Sequence, residues 1–276
     1  MVNKVNIAVI LSVYKNSKLS ELKRAILSID KQEKIILDLL ICFDGYVINE
    51  IKDFLENFKS KKAINKIITF KNKSNKGLAY SLNKLILYKF SNYKFFVRHD
   101  CDDYSHKNRV SLLVDFLNKN NDIDIVGSGS KSFFKSDKNK FYLNTYPTHH
   151  KDIAKAFSYS APISHGTVVF KNTFFIKAGL YDAKLSNLLE DQKLWYSGLI
   201  SGCKFASIKD ILYFVSTDNY QYKRRSNISL IFNLFFIRIK YIFKSDISLI
   251  YLAFAFGEFL VRIALSILLY LNLNKF

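Results

Sequence analysis

Hydrophobic spacing in the first hundred residues alternates between two periods. Unbroken apolar runs of strand length are followed by stretches whose apolar residues recur every three or four positions, which predicts βαβ units and a mainly parallel sheet. Asn6 to Val13 reads as a buried strand, and Leu19, Leu22, Ile26 and Ile29 mark one face of a helix. Leu37 to Phe43 is a second strand, closed by the turn dipeptide Asp44-Gly45. Val47 to Phe58 reads as a helix, Ile64 to Phe70 as a strand, Leu78 to Phe90 as a helix and Phe95 to Arg98 as a fourth strand. Beyond Arg109 the pattern loosens. A helix to about Lys119, strands around Ile123 to Val126 and Thr167 to Phe170, and a short helix over Asp191 to Ile200 are the features it still supports.

The last sixty residues change character. Lys223-Arg224-Arg225 is a basic knot, followed by Leu230 to Phe243 with Arg238, Lys240 and Lys244 interspersed. A strongly apolar stretch then runs from Ile247 to Leu273, interrupted by Glu258 and Arg262. No unbroken apolar run reaches the eighteen or so residues of a spanning helix, and the two charges stand at i and i+4 in the order that pairs on one face. A basic, aromatic-rich amphipathic segment suits a helix lying in a membrane interface. Surface association is the expectation, with a hairpin packed on the protein's own core and a true span as alternatives.

Composition narrows the classes. With 49% hydrophobic and 16% aromatic residues over 276 positions the chain is no disordered polymer and can bury a large core. Lysine and arginine outnumber aspartate and glutamate 42 to 23, a formal charge of +19, which favours anionic partners: nucleic acid, anionic lipid or nucleotide phosphates. The lysines are scattered rather than clustered, which counts against nucleic acid. Cys42, Cys101 and Cys203 are isolated and lack metal-type spacing, so no disulfide framework or zinc site is expected. Met1-Val2-Asn3-Lys4 leads straight into a strand-like run without a leader pattern, so a cytoplasmic-side protein is expected.

The most informative junction is Phe95-Phe96-Val97-Arg98-His99-Asp100-Cys101-Asp102-Asp103, where a β-prone run ends in three carboxylates. Open α/β folds place ligands at such strand ends. Crowded carboxylates raise one another's pKa unless a cation neutralises them, and a hard divalent ion bridging to a diphosphate does so with one or two carboxylates. A solvated acidic turn is the plain alternative. Asp44, after the second strand, should emerge at the same edge. Asn75-Lys76-Gly77 opens the helix containing Asn83, a ready anion site or simply a cap by Asn75; it lacks the Walker spacing. Glu190-Asp191 precedes Leu194-Trp195-Tyr196, where the acids complement a helix dipole and the only tryptophan could form a sugar-binding wall. His165-Gly166-Thr167 opens a strand where a side chain could face an acceptor, and His149-His150 carries no ligand spacing.

The ordered set Ser12-Val13-Tyr14, Asp44-Gly45, Asn75-Lys76-Gly77-Leu78-Ala79, Arg98-His99-Asp100-Cys101-Asp102-Asp103, His165-Gly166-Thr167 and Glu190-Asp191 resembles glycosyltransferase family 2, most closely the bacterial branch that builds O-antigen, capsule and exopolysaccharide. The likeness covers roughly residues 5–215. It implies an α/β GT-A fold: a Rossmann-like, mainly parallel central sheet flanked by helices, here with a C-terminal helical membrane-associating extension. The catalytic domain would be 1–215, with a nucleotide-binding half at about 1–104 and an acceptor half at about 105–215, and residues 216–276 would be the helical region.

It also implies a nucleotide-sugar donor, a UDP-sugar in the first instance, a divalent cation (Mn2+ or Mg2+), inversion at the anomeric carbon and a polyprenyl-diphosphate-linked glycan acceptor at an anionic membrane surface. By position, Val13, Tyr14, Asp44, Asn75 and Gly77 would line the nucleotide, with Asp44 on the base. Arg98 would approach the diphosphate, Asp100 would hold ribose or metal, and Asp102 would be the main metal ligand. Asp191 would be the general base, with His165, Glu190 and Trp195 on the acceptor side. Two departures stand out: Lys15-Asn16 follows Tyr14 where the family has a proline- or asparagine-rich turn, and Gln221-Tyr222-Lys223-Arg224-Arg225 replaces the arginine-tryptophan motif of processive synthases, which implies transfer of a single sugar. The alternatives are another nucleotide-sugar-using transferase on a similar sheet and a non-catalytic basic protein that binds membrane or nucleic acid.

Overall fold

A computed structural model of the chain describes residues 5–135, 137, 139–184, 189–217 and 227–273. The first half follows the predicted alternation: β1 (Ile7–Tyr14), α1 (Leu19–Asp30), β2 (Leu37–Asp44), α2 (Asn49–Glu56), β3 (Ile64–Asn72), α3 (Leu78–Leu87) and β4 (Phe95–Arg98). After β4 come β5 (Tyr104–Ser105), α4 (Arg109–Lys119), β6 (Ile125–Phe134), β7 (Phe141–Asn144), α5 (His150–Ala156), β8 (Val169–Lys171), α6 (Asn172–Ala178), α7 (Glu190–Ile200) and β9 (Phe205–Thr217). Two long helices close the chain, α8 (Ile228–Lys244) and α9 (Tyr251–Leu273).

The strands form one sheet in the order β3-β2-β1-β4-β8-β6-β9-β5, with β7 paired to β6. Strands β3, β2, β1 and β4 are mutually parallel, as crossover helices require, and β8 enters antiparallel beside β4. The central strands are apolar on both faces because helices cover both sides. Val9, Leu11 and Val13 face α1, α2 and α4 through Leu22, Ile26, Ile51 and Leu113. Ala8 and Ile10 face the other layer, built by Leu82 and Leu85 of α3, Phe174 of α6 and Trp195 of α7.

The strand expected around Ile123 to Val126 is a ten-residue strand, β6, running on through Gly127-Ser128-Gly129-Ser130, which shows no hydrophobic alternation. Small residues there answer to close neighbours: a Cβ on Gly129 would lie 2.6 Å from Ile211 Cδ1, and one on Gly127 2.9 Å from Ile163 Cγ1. The thirteen-residue β9, parallel to β6, is likewise absent from the hydrophobic pattern.

The C-terminal hairpin settles onto the α/β body through α8. Ile231, Leu234, Arg238, Tyr241 and Ile242 are buried, and the Tyr241 hydroxyl donates to Ala154 O at 3.0 Å. Helix α9 lies along α8, with Phe235 stacked on Phe259 at 4.5 Å. Glu258 pairs with Arg262 as the spacing predicts, but also with the fully buried Arg238 of α8. The two charges are therefore paired and do not break α9. Its segment Tyr251–Leu268 is long and apolar enough to cross a membrane, and only 11% of it is buried. The basic knot Lys223-Arg224-Arg225 lies outside the described residues.

Candidate active site

Strand register brings the predicted residues to one edge. Tyr14 lies opposite Asp44, and Ile10 opposite Arg98, so the carboxyl ends of β1, β2 and β4 open side by side. Val13 turns its side chain into the core and offers only backbone to this edge, whereas Tyr14 is exposed. Asp44 is almost fully buried. Its Oδ1 accepts from Lys76 N (2.7 Å) and Asn72 Nδ2 (3.0 Å), and its Oδ2 from Gly77 N (2.9 Å). The carboxylate thus fastens the entry of α3, for which a cap by Asn75 is one of the two sequence readings; the residue preceding α3 is Gly77, and Asn75 is exposed. Gly45, at φ +83°, lies against this loop so closely that a Cβ would come within 2.7 Å of Asn75 N.

The acidic loop after β4 is wired from behind. Arg98 is buried and turned inward, donating from Nη2 to Asp100 Oδ1 at 2.6 Å and from Nη1 to His99 O. It therefore orients Asp100 and does not open toward a diphosphate as expected. His99 Nδ1 lies 2.7 Å from Asp100 O, an acceptor only, so this nitrogen carries the proton and Nε2 accepts from the Ser105 hydroxyl at 3.0 Å. Burial, followed by the charge of Arg109, holds His99 well below its ordinary pKa and keeps it neutral. Arg109, fully buried on α4, ties three segments together: Nη2 donates to Arg98 O and Gly166 O, both at 2.7 Å, and Nη1 to Ser105 Oγ at 2.9 Å. Its guanidinium lies 4.6 Å from the Tyr213 ring centre, and the Tyr213 hydroxyl accepts from Asp100 N at 2.9 Å.

Asp102 is half-buried and faces α1 and the end of β6. Arg24 Nη2 donates to Asp102 O at 2.6 Å and to Ser216 Oγ at 2.8 Å, which pins the loop backbone. The Lys135 ammonium lies 3.8 Å from Asp102 Oδ2 and 3.0 Å from Glu21 Oε1. Burial and then the neighbouring Asp100 push the Asp102 carboxyl up to about 6, with Lys135 opposing. Asp103 is buried, accepts from Ser216 N at 3.0 Å and is held well above the ordinary carboxyl range by burial and by Asp102. Crowded oxygens whose charge is costly make a cation a fitting guest. Among the described residues no group of three or more ligating side chains occurs. The charge of Asp100 reaches Asp102, and two neighbouring carboxylates are a set that suits a hard ion taking its remaining ligands elsewhere.

The acceptor-side residues meet this loop through Tyr181. Its buried phenol lies 2.7 Å from His165 Nε2 and feels Arg98, Asp191, Glu190 and Asp100 together. The Asn83 side chain grips the same residue twice, accepting from Tyr181 N (3.0 Å) and donating to Tyr181 O (2.8 Å), so α3 is clamped to the chain after α6. Glu190 and Asp191 open α7, half-buried, in the first turn where negative charge complements the helix dipole. Asp191 Oδ1 accepts from Gln192 N at 2.7 Å. Trp195 does not form a sugar-binding wall. It is fully buried one turn further along α7, among His165, Phe170, Phe174 and Phe205, because its face of the helix points at the sheet. Gly166 sits beneath Tyr213, where a Cβ would meet Cε1 at 2.5 Å.

Tyr181, Tyr213, Arg109, Arg24, Lys135 and Asn83 carry no motif in the sequence. The only available signal is an arginine inside an otherwise apolar helical face, as at Arg109 beside Val110, Leu113 and Val114.

Comparison with known proteins agrees with this geometry. The family described as "Glycosyl transferase family 2" matches residues 8–178. The chain is 26% identical over 222 residues to the UDP-Gal:alpha-D-GlcNAc-diphosphoundecaprenol beta-1,3-galactosyltransferase of Escherichia coli, covering 80% of this chain and 78% of that protein. It is 25% identical over 224 residues to the putative glycosyltransferase EpsE of Bacillus subtilis, covering 80% and 76%. Among solved structures, residues 1–349 of S. aureus TarS superpose with a TM-score of 0.66 at 15% identity, covering 94% of this chain and 71% of that one. That likeness concerns the fold, which is GT-A.

Proposed function

Because the chain belongs to glycosyltransferase family 2, we propose that it moves one sugar from a nucleotide-sugar, a UDP-sugar in the first instance, to a lipid-linked glycan in bacterial surface polysaccharide synthesis, with inversion and with a divalent cation. The observation that carries this reading is the meeting of Asp44, Asp100 and Asp102 at one sheet edge, with Asp191 near enough that its charge and that of Asp100 both reach the Tyr181 phenol. The E. coli relative acts, by its name, on UDP-galactose and a diphosphoundecaprenol-linked sugar, which supports both substrate classes.

The nucleotide would lie on the edge formed by Tyr14, the loop that Asp44 fastens, and Asn75 to Gly77. Asp102 and the free oxygen of Asp100 would hold the cation, which supplies Lewis-acid stabilisation of the departing diphosphate. Arg98 keeps Asp100 aimed through its 2.6 Å contact to Oδ1. Asp191 takes the proton from the acceptor hydroxyl as that oxygen attacks the anomeric carbon from the face opposite the diphosphate, a contribution of about 10²–10⁴-fold. His165 and Glu190 shape the acceptor side.

The hairpin would hold the enzyme at an anionic membrane surface on the cytoplasmic side, where a polyprenyl-linked acceptor resides. Phe232, Phe236, Phe243, Phe254, Leu260, Val261 and Leu265 are exposed on it, a patch well beyond the scattered apolar residues of a soluble surface. Since α8 is fastened to the catalytic domain and α9 to α8, this favours a hairpin lying in the interface over one that crosses the bilayer.

The test is transfer from UDP-sugars to a polyprenyl-diphosphate-GlcNAc acceptor, together with calorimetric titration of UDP in manganese and in EDTA. Asp191→Asn should lower turnover at least a hundredfold and leave UDP affinity intact. Asp102→Ala should abolish the manganese-dependent part of UDP binding. A protein that turns over equally well with both substitutions is not an enzyme of this design.

A further inference from the structure

Lys135 has no place in the mechanism above, yet its ammonium stands at the proposed metal carboxylate. Three elements distant in sequence meet there: Glu21 in the first turn of α1, Lys135 at the end of β6, and Asp102 in the loop after β4. The Lys135 backbone is itself fixed, its N–H donating to Thr217 O at 2.9 Å, so the side chain reaches the acidic loop from a set position. The two ion pairs are unequal. Glu21 is at 3.0 Å, within full hydrogen-bonding contact, and Asp102 Oδ2 is at 3.8 Å, at the outer limit of an ion pair.

We propose that Lys135 is a built-in competitor for the divalent cation at Asp102, and that Glu21 is the post to which it withdraws when the cation enters. The proposal rests on the reading of Asp102 as a metal ligand. A dication and an ammonium cannot share one carboxylate oxygen in a half-buried site without strong repulsion, so occupancy by one requires retreat of the other. Glu21 makes that retreat inexpensive, since the ammonium keeps its closer partner throughout. With only two carboxylates to offer and a resident positive charge to displace, the site binds metal weakly by itself. It binds metal well only when a diphosphate contributes its own oxygens and negative charge, which couples cation entry to nucleotide arrival.

Two substitutions should act with opposite sign. Lys135→Met removes the competitor and should tighten Mn2+ binding about tenfold, a difference reduced from the bare Coulomb value by the partial exposure of all three side chains. Glu21→Gln removes the retreat post, leaves Lys135 leaning on Asp102 and should weaken Mn2+ binding. In the double variant the Glu21→Gln effect should largely vanish, because no ammonium remains to be tethered. Lys135→Arg, which keeps the charge, should stay near wild type.

The measurement is free Mn2+ by electron paramagnetic resonance on the full chain, with and without saturating UDP, alongside thermal melts to verify folding. Lys135→Met that leaves Mn2+ affinity unchanged or weaker overturns the proposal. So does a Glu21→Gln effect that persists undiminished in the Lys135→Met background, which would make Glu21 a ligand instead. Loss of UDP affinity in EDTA on Lys135→Met would make the lysine a phosphate contact and also overturn it. If the wild type takes up no Mn2+ even with UDP, and Asp102→Asn is no different, the metal reading itself has failed and the proposal falls with it.

Discussion

Gly166→Ala should cripple the donor site without touching any substrate-facing group. An added Cβ would stand 2.5 Å from Tyr213 Cε1, 2.7 Å from Cζ and 2.8 Å from the hydroxyl, whereas ordinary contact begins near 3.4 Å. The ring must therefore move by close to an ångström. It has nowhere to go, with the Arg109 guanidinium 4.6 Å from its centre and His99 edge-on at 5.3 Å, all three side chains being buried. Overpacking of this kind costs about 2–3 kcal/mol, or roughly 3–5 °C in melting temperature for a chain of this size.

The functional loss should exceed the stability loss. The Tyr213 hydroxyl accepts from Asp100 N, and Arg109 holds Arg98 O and Gly166 O together, so a displaced ring drags the acidic loop. A shift of about 1 Å at a binding group costs on the order of a hundredfold. Thermal melts and manganese-dependent UDP titration read the two effects. The cross-check is Tyr213→Leu, which removes the obstacle: in that background Gly166→Ala should add little to either readout. A Gly166→Ala protein with wild-type melting and UDP affinity would refute the reasoning.

Asp30, at the end of α1, accepts from Ser60 Oγ (2.6 Å), Lys61 N (2.8 Å) and three further backbone N–H groups. Burial pushes its carboxyl up, but these donors outweigh it and set the folded pKa below 3.8, so its stabilisation is present above that value and lost as pH falls through the lower folded value. Asp30→Asn should cost about 2 kcal/mol in urea unfolding at pH 7, with the gap closing in acid. Asn83→Ala should raise the acceptor KM or lower kcat, with UDP affinity in calorimetry unchanged, because its two bonds hold Tyr181 on the acceptor side. Phe236→Glu with Phe254→Glu should abolish flotation with anionic vesicles at an unchanged melting temperature. Glu258→Gln should instead lower stability by about 3 kcal/mol, since it strands the buried Arg238.

How much of this is visible in the sequence follows from what each residue answers to. β1 to β4 and α1 to α4 were legible because burial on both sheet faces writes apolar runs and an apolar stripe directly into the chain. β9 was not, nor the part of β6 beyond Val126, where Gly127 to Ser130 is buried through small side chains and backbone pairing with β9, which leave no hydrophobic period. Asp44, Asp100 and Asp102 were legible because each follows an apolar run and so must emerge at a strand end. Their surroundings were not. Asp44 is occupied by the α3 loop, Arg98 turns inward, and Trp195 faces the sheet, and each of these depends on a side-chain direction that spacing alone leaves open.

The supports of the acidic loop also bear on how the domain divides. The half expected to bind the nucleotide ends near 104, yet Asp100 leans on Tyr213, 113 positions later; Asp103 takes its N–H from Ser216; and the Asp102 backbone is pinned by Arg24, which also holds Ser216. Arg109 joins Arg98 O to Gly166 O from the start of the acceptor half. Polar contacts of such separation carry no local period, which is why the sequence suggests the two halves and not the contacts that join them. A fragment ending at residue 104 would keep every donor-side motif and still lack the groups that hold Arg98, His99 and Asp103 in place. The carboxylates would then face one another without support, and their mutual repulsion would loosen the loop.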